Sequence, residues 1–323
     1  MVPKVPRQKL KENDDRSRSS GEQRTMARTA SLCNREDEQQ MIWYFWNVKE
    51  IWQIGMLSVL LWPVTSLGGQ AEAAHGYVGF DSNDYPGDAG MAELRKDFAF
   101  AGYWLTPAPL EKKNTWTGKR KVMEQQGYGF LLLARARTVN AIRSAAIGKQ
   151  KGNLDAQTAA QTARAEGFAS GAIIFLDLED GGRLPAAYHA YLQSWADELL
   201  KQGFRPGVYC SGLIVDEGGG VRIVTADDIR TNEAPRKFAF WVFNDACPPS
   251  PGCVSVTEPP LPSASGVKDA VVWQFVRSPR EKDTAAHCAG YAKDENCYSA
   301  RDAAHKWNLD LNVAATANPS FAQ

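Results

Sequence analysis

Ala172-Ile173-Ile174-Phe175-Leu176-Asp177-Leu178-Glu179 is the stretch on which the reading of the fold turns. Five apolar residues in a row make a strand that is covered on both faces, the habit of a parallel sheet. The run ends on an acid, and a second acid follows two residues later. Side chains alternate along a strand, so Asp177 and Glu179 point the same way if the register holds. The segments on either side repeat the theme. Upstream, residues 155–166 form an Ala- and Gln-rich helix with Gly167 just past its end, and downstream residues 184–202 form a long amphipathic helix closed by Gly203.

Working outward, short apolar runs alternate with helical patterns from Gly76 onward, the signature of β/α units. Strands are expected at 77–80 (running into Asp81), 100–105, 129–134, 172–176, 205–210, 238–243 and 271–276, with 309–313 as a closing strand. Helices are expected at 89–96 and at 119–126, the latter ended by Gly127. Seven or eight such units fit an α/β fold of the (β/α)8 TIM-like barrel type, a single domain. An open doubly wound sheet is the alternative; it usually carries a ligand loop after its first strand, and no G-x-G-x-x-G or P-loop is present. The Pro-rich stretch 247–262 reads as a loop insertion before the seventh strand.

The chain has 323 residues, with 37 Lys and Arg against 37 Asp and Glu. That balance argues against nucleic acid as the main partner, because phosphate neutralisation needs a basic face. Residues 1–40 are polar and without a periodicity that would bury a face, so they read as a disordered extension. Residues 41–73 contain the apolar run 54–62 followed by Ala71-Glu72-Ala73, which reads as a secretory signal cleaved after Ala73, with Met41 as a candidate start. The run is shorter than the about 20 apolar residues that span a bilayer. An uncleaved anchor that includes Ile42-Trp43-Tyr44-Phe45-Trp46 is the competing reading. Residues 74–323 are then the mature barrel, secreted or held in the periplasm or cell envelope, with no stable membrane span.

The cysteines agree with export. Cys247 and Cys253 flank a turn-rich spacer, and Cys288 and Cys297 bracket a polar loop, so two local bridges are expected in an oxidising compartment. Cys210 lies in an apolar run and reads as a buried small hydrophobe. A zinc site would need paired C-x-x-C spacing and nearby histidines, and the sequence offers neither.

Functional groups of such barrels gather at the C-terminal ends of the strands. Asp81 ends the first strand and Asp177 and Glu179 end the fourth; inward carboxylates there are costly unless paired or used. Asp180 reads as a solvated loop carboxylate. Asp84 and Tyr85 follow the first strand, Tyr209 ends the fifth, Trp241 lies in the sixth, and Trp273 and Gln274 lie in the seventh. Acids, rings and amides suit a carbohydrate partner, with carboxylates for hydroxyl groups or acid catalysis and rings for the apolar sugar face. His75, His189, His287 and His305 are scattered, with none at a strand end, so neither Ser/His/Asp chemistry nor a metal triad is supported. No cofactor is implied.

Gly79-Phe80-Asp81-Ser82-Asn83-Asp84-Tyr85-Pro86-Gly87, Phe100-Ala101-Gly102-Tyr103-Trp104-Leu105 and Asn114-Thr115-Trp116-Thr117-Gly118-Lys119-Arg120 resemble the bacterial glycoside-hydrolase-like domain family known as domain of unknown function 1906. The layout is similar, at one remove, to the muramidase barrels of glycoside hydrolase family 25. It offers Asp81, Asp177-Leu178-Glu179, Gly207-Val208-Tyr209, Trp273-Gln274 and Asp310-Leu311-Asn312 in that order. The resemblance implies Glu179 as general acid on an N-acetylated cell-wall glycan, Asp177 orienting or stabilising an N-acetyl group, and Asp81 and Asp310 shaping the site. A barrel that binds envelope glycans without cleaving them, and an envelope structural protein that uses neither acid, are the alternatives.

Overall fold

The structure is a computed structural model that describes residues 75–253, 258–280, 288, 290–297 and 307–322. The expected polar extension and the expected leader, with cleavage after Ala73, lie outside the described residues. No described helix is long and apolar enough to cross a membrane.

The chain runs β1 (Tyr77–Asp81), α1 (Asp88–Leu94), β2 (Phe100–Trp104), α2 (Arg120–Gln125), β3 (Gly129–Arg135), α3 (Ala145–Ala165), β4 (Ile173–Asp177) and α4 (Ala186–Lys201). There follow β5 (Arg205–Ser211), a hairpin of β6 (Ile214–Gly218) and β7 (Val221–Val224), α5 (Thr225–Asn232), β8 (Ala239–Phe243), β9 (Ala270–Val276) and β10 (Asp310–Ala314). Eight of the strands close a barrel in the order β1-β10-β9-β8-β5-β4-β3-β2. The expected TIM-like α/β barrel is therefore present, and each expected strand is one of its staves.

Its last strand departs from a full (β/α)8 pattern. β10 pairs antiparallel with both β1 and β9, whereas the other neighbours are parallel. An antiparallel neighbour can begin at the end where the previous strand stops and needs no return crossover. Asp310 thus stands opposite Asp81, at the rim where the parallel strands end. Between β8 and β9 the described chain forms only a short 3-10 turn, Pro262–Ser265, in place of a covering helix.

Packing explains where local patterns fell short. The helix expected at 155–166 begins ten residues earlier, at Ala145, because Gly148 and Gly152 are contact points and not breaks. A Cβ on either would strike the backbone of α4 at Ala187 or Tyr191, and Ala156, Ala159, Ala160 and Ala163 complete the same buried stripe. The β6–β7 hairpin has no apolar periodicity and turns through Gly218, Gly219 and Gly220, all at positive φ.

The cysteine pairing is a correction. Cys247 bonds Cys288 and Cys253 bonds Cys297, each with Cα atoms 5.5 Å apart, in place of the two local bridges. β8 and β9 are adjacent staves, so the segments that follow them lie side by side at the rim and their cysteines face across, not along, the chain. Cys210 is free and buried.

Candidate active site

Strand alternation brings the acids to the C-terminal rim. Asp81 ends β1, Asp177 ends β4, Asp310 opens β10 beside Asp81, and Glu179 follows two residues after Asp177. Room for them is built into β2, where Gly102 stands against Asp81. A Cβ at Gly102 would lie 2.7 Å from the Asp81 Cβ. Asp81 and Asp177 are buried, Asp310 is half-buried, and Glu179 is exposed at the lip.

The electrostatics follow from crowding acids where water is excluded. Burial pushes Asp81 up to about 7, against two amide hydrogen bonds that pull it down, and the Glu179 charge adds to the rise. Asp177 is held well above the ordinary carboxylate range by burial, then by the charges of Glu179 and Asp81. Its Oδ2 is buried with no hydrogen-bond partner among the described residues. Asp310 is raised by burial and by Asp81, although the Ser278 N–H donates to its Oδ1 at 2.6 Å. Tyr209 is likewise raised by burial and by the surrounding acids.

Buried amides tie the acids together. Gln274 Nε2 donates to Asp81 Oδ1 at 3.0 Å and reaches Asp310 Oδ2 at 3.4 Å, and Asn312 Nδ2 donates to the same Asp81 Oδ1 at 2.7 Å. Tyr209 Oη donates to Gln274 Oε1 at 2.7 Å. Asn312 belongs to the quoted Asp310-Leu311-Asn312 motif, but the sequence reading gave it no role. Its signal was available, since it stands two residues after Asp310 and alternation turns both inward.

Two hollows flank this cluster. One, of about 670 Å³, reaches Asp177 and Glu179 and is walled by Thr106, Leu110, Arg135 and Arg137. The other, of about 580 Å³, reaches Asp81 and Asp310 and is walled by Asp84, Tyr85 and Trp307. Glu111, in the loop after β2, lines both. The block 114–120 that carries the family resemblance falls in that loop, but nothing in the sequence marked Glu111, because the loop's placement over the rim is set by distant partners. Trp116 is one: its indole N–H donates to the Ser82 and Asn83 carbonyls at 3.2 Å, while Thr115 Oγ1 accepts from the Tyr85 N–H at 2.9 Å.

The remaining expected residues divide. Asp84 and Tyr85 line the second hollow; Tyr85 donates to Asp88 Oδ1 at 2.9 Å and stands edge-on to Trp116. Trp241 points into the barrel but is 1% exposed, wedged against Phe175 and Tyr209, so its face is not available to a sugar. Trp273 is also 1% exposed and lies on the outer side of β9, opposite in alternation to Gln274, with its N–H on the Asn244 carbonyl at 3.0 Å. Both tryptophans are structural in placement, the first beneath the site and the second outside it. Asp180 is not simply solvated: its Oδ2 accepts the Val139 N–H at 2.8 Å. His189, in the first turn of α4, sits between Asp228 Oδ2 and Glu233 Oε1 at 3.1 Å each. Among the described residues no group of His, Cys, Asp and Glu is arranged to hold a metal ion.

A closed α/β barrel with a cluster of carboxylates at its C-terminal rim defines the class, a TIM-like barrel with an acidic rim. Residues 103–248 match the family of Rv2525c-like, glycoside hydrolase-like domains, which bears out the glycoside-hydrolase-like resemblance over that segment. No curated protein matches the chain. Among solved structures, an uncharacterized B. stearothermophilus protein is 20% identical, with a TM-score of 0.48, over 74% of this chain and 96% of that one. The modular autolysin LytC from Streptococcus pneumoniae, in complex with a synthetic peptidoglycan ligand, is 10% identical, with a TM-score of 0.40, over 74% of this chain and 46% of that one. The spore cortex-lytic enzyme SleL of Bacillus megaterium is 15% identical, with a TM-score of 0.33, over 51% and 40%.

Proposed function

We propose that the chain is an exported hydrolase of an N-acetylated cell-wall glycan of the peptidoglycan type. The observation that carries this reading is the convergence of Asp81, Asp177, Glu179 and Asp310 between two hollows on the rim of a glycoside hydrolase-like barrel. Glycoside hydrolysis needs one carboxyl that keeps its proton and another that does not, and environments that push neighbouring acids apart supply both. In this reading Glu179, at the lip and next to the raised Asp177, gives its proton to the leaving oxygen. Asp177 orients or stabilises the N-acetyl group, and a water adds to the anomeric carbon as the glycosidic bond breaks, its proton returning to Glu179. Asp81 and Asp310 shape the floor. The two disulfides favour an oxidising compartment and hence export.

The test is the full chain on insoluble peptidoglycan and on chitin-type oligomers, with new reducing ends counted by mass spectrometry and Glu179→Gln alongside. Products from the parent, reduced about 100-fold or more in the variant with glycan binding retained, are expected. Sedimentation with the glycan but no products from either chain would refute hydrolysis and leave a glycan-binding barrel.

A further inference from the structure

Beneath the acids lies a buried polar chain that the proposed reaction does not use. Trp241 Nε1–H donates to Asn312 Oδ1 at 2.9 Å, and Asn312 Nδ2 donates to Asp81 Oδ1 at 2.7 Å. From the other side Tyr209 Oη donates to Gln274 Oε1, and Gln274 Nε2 donates to Asp81 Oδ1. All four residues that address Asp81 in this way are at most 3% exposed, so water does not compete for their polar groups.

The chemistry of the donors fixes their direction. An indole N–H donates and never accepts, so it is satisfied only by the oxygen end of the Asn312 amide. That forces the nitrogen end toward Asp81. Gln274 is oriented from its nitrogen end, which faces two acceptors, Asp81 and Asp310, and this turns its oxygen to the Tyr209 hydroxyl. Both N–H groups fall on one carboxylate oxygen, Oδ1, while no described group donates to Oδ2.

We propose that Trp241 and Tyr209 are positioning residues, which act through Asn312 and Gln274 to commit Asp81 Oδ1 as an acceptor and to leave Oδ2 as the oxygen offered to a ligand. With two N–H hydrogens already aimed at Oδ1, a proton on Asp81 resides on Oδ2. There Asp81 donates an O–H to a sugar oxygen in the second hollow, which it lines. Three other acids face Asp81: Asp177 and Glu179 from the β4 end and Asp310 from β10. Tyr209 faces it from β5, and Arg277 stands beyond Asp310 at the end of β9. The ligand-facing part of this inference rests on the glycan reading; the orientation of Asp81 does not.

The test is a pH titration of the Asp81 carboxyl by carbon-13 NMR on the full chain with labelled aspartate, the resonance assigned by its loss in Asp81→Asn. Trp241→Phe removes the donor but keeps a ring, so the Asn312 amide is free to turn its oxygen toward Asp81. Asn312→Ala removes the amide outright. Each is expected to move the Asp81 midpoint upward by about one pH unit, because a hydrogen bond that favours the ionised form is lost. If Trp241→Phe fails to fold, Asn312→Ala decides. An unchanged midpoint in the folded variants, with or without a lower Tm, overturns the proposal and leaves these groups as packing. If the parent cleaves glycan, the corresponding limb of its pH–rate profile moves by the same amount in the variants. A shifted carboxyl in a chain that cleaves nothing sinks the hydrolase reading and not this one.

Discussion

Replacing Asp81 by Asn should make the protein more stable at alkaline pH while impairing its site. In the fold Asp81 is pushed from 3.8 up to about 7, chiefly by burial. A carboxyl raised in this way binds its proton more tightly folded than unfolded. Its contribution to stability is therefore full below about 3.8, declines as the pH rises, and is gone above about 7. Each unit of difference corresponds to about 1.4 kcal/mol, so the decline between about pH 4.5 and about pH 8.5 amounts to roughly 3 kcal/mol. Asn keeps an oxygen to accept from Asn312 and Gln274 and carries no charge to desolvate, so Asp81→Asn loses nothing over that interval. For a barrel of this size, roughly 3 kcal/mol corresponds to about 6–12 °C in Tm. Thermal unfolding of both chains at the two pH values measures it. The gap between variant and parent should widen in the variant's favour by that amount on going to the higher pH. A gap of the same size at both values would show that Asp81 is not strained by its charge, and the electrostatic account of the site would fall with it.

Gly102→Ala should place a methyl against Asp81, costing about 1–3 kcal/mol in denaturant unfolding and about 100-fold or more in any turnover of the glycan. Unaltered turnover would mean that Asp81 need not stand where it does. His189 is pulled down by burial, but its hydrogen bond to Glu233 and the charge of Asp228 outweigh this and raise it above 6.5. Its stabilisation is thus complete below about 6.5 and is lost as the pH rises through the higher folded value. His189→Leu should flatten that part of the stability–pH curve and cost about 1–3 kcal/mol at about pH 6, by removing the imidazolium between Asp228 and Glu233 and leaving them only Arg183 at 4.0 Å and Arg236 at 3.6 Å. Urea midpoints across the range decide this, and an equal loss at every pH would refute it. Peptide mapping without reduction should recover Cys247 linked to Cys288 and Cys253 linked to Cys297, and the double replacement Cys253→Ser with Cys297→Ser should cost about 2–4 kcal/mol. Recovery of Cys247 joined to Cys253 would contradict the cross-loop arrangement.

What could be read without coordinates was local. The run into Asp177 and Glu179 carries its own evidence, because five consecutive apolar residues specify a doubly covered strand that ends at Asp177, and Glu179, just past it, lines the same hollow. The same reasoning placed Asp81, Tyr209 and Gln274, all of which the fold brings to one cluster. Alternation with helices then made the barrel the fitting architecture, since strands buried on both faces need helices outside them. The cysteines signalled oxidation, though not their partners.

Other features answer only to neighbours that are distant in the sequence. The direction of β10, and with it the position of Asp310 at the rim, depends on two strands that sit next to it in space. Trp241 and Trp273 have the composition of sugar platforms, yet burial makes one an anchor for Asn312 and puts the other behind the sheet. That the helix before β4 starts at Ala145 and not near residue 155 follows from Gly148 and Gly152 packing against α4. The crossed disulfides require the β8 and β9 loops to be seen side by side. In each case the sequence by itself determined residue type and local periodicity. Only the tertiary structure decided burial, partner and direction, because those are properties of the space between segments and not of any one of them.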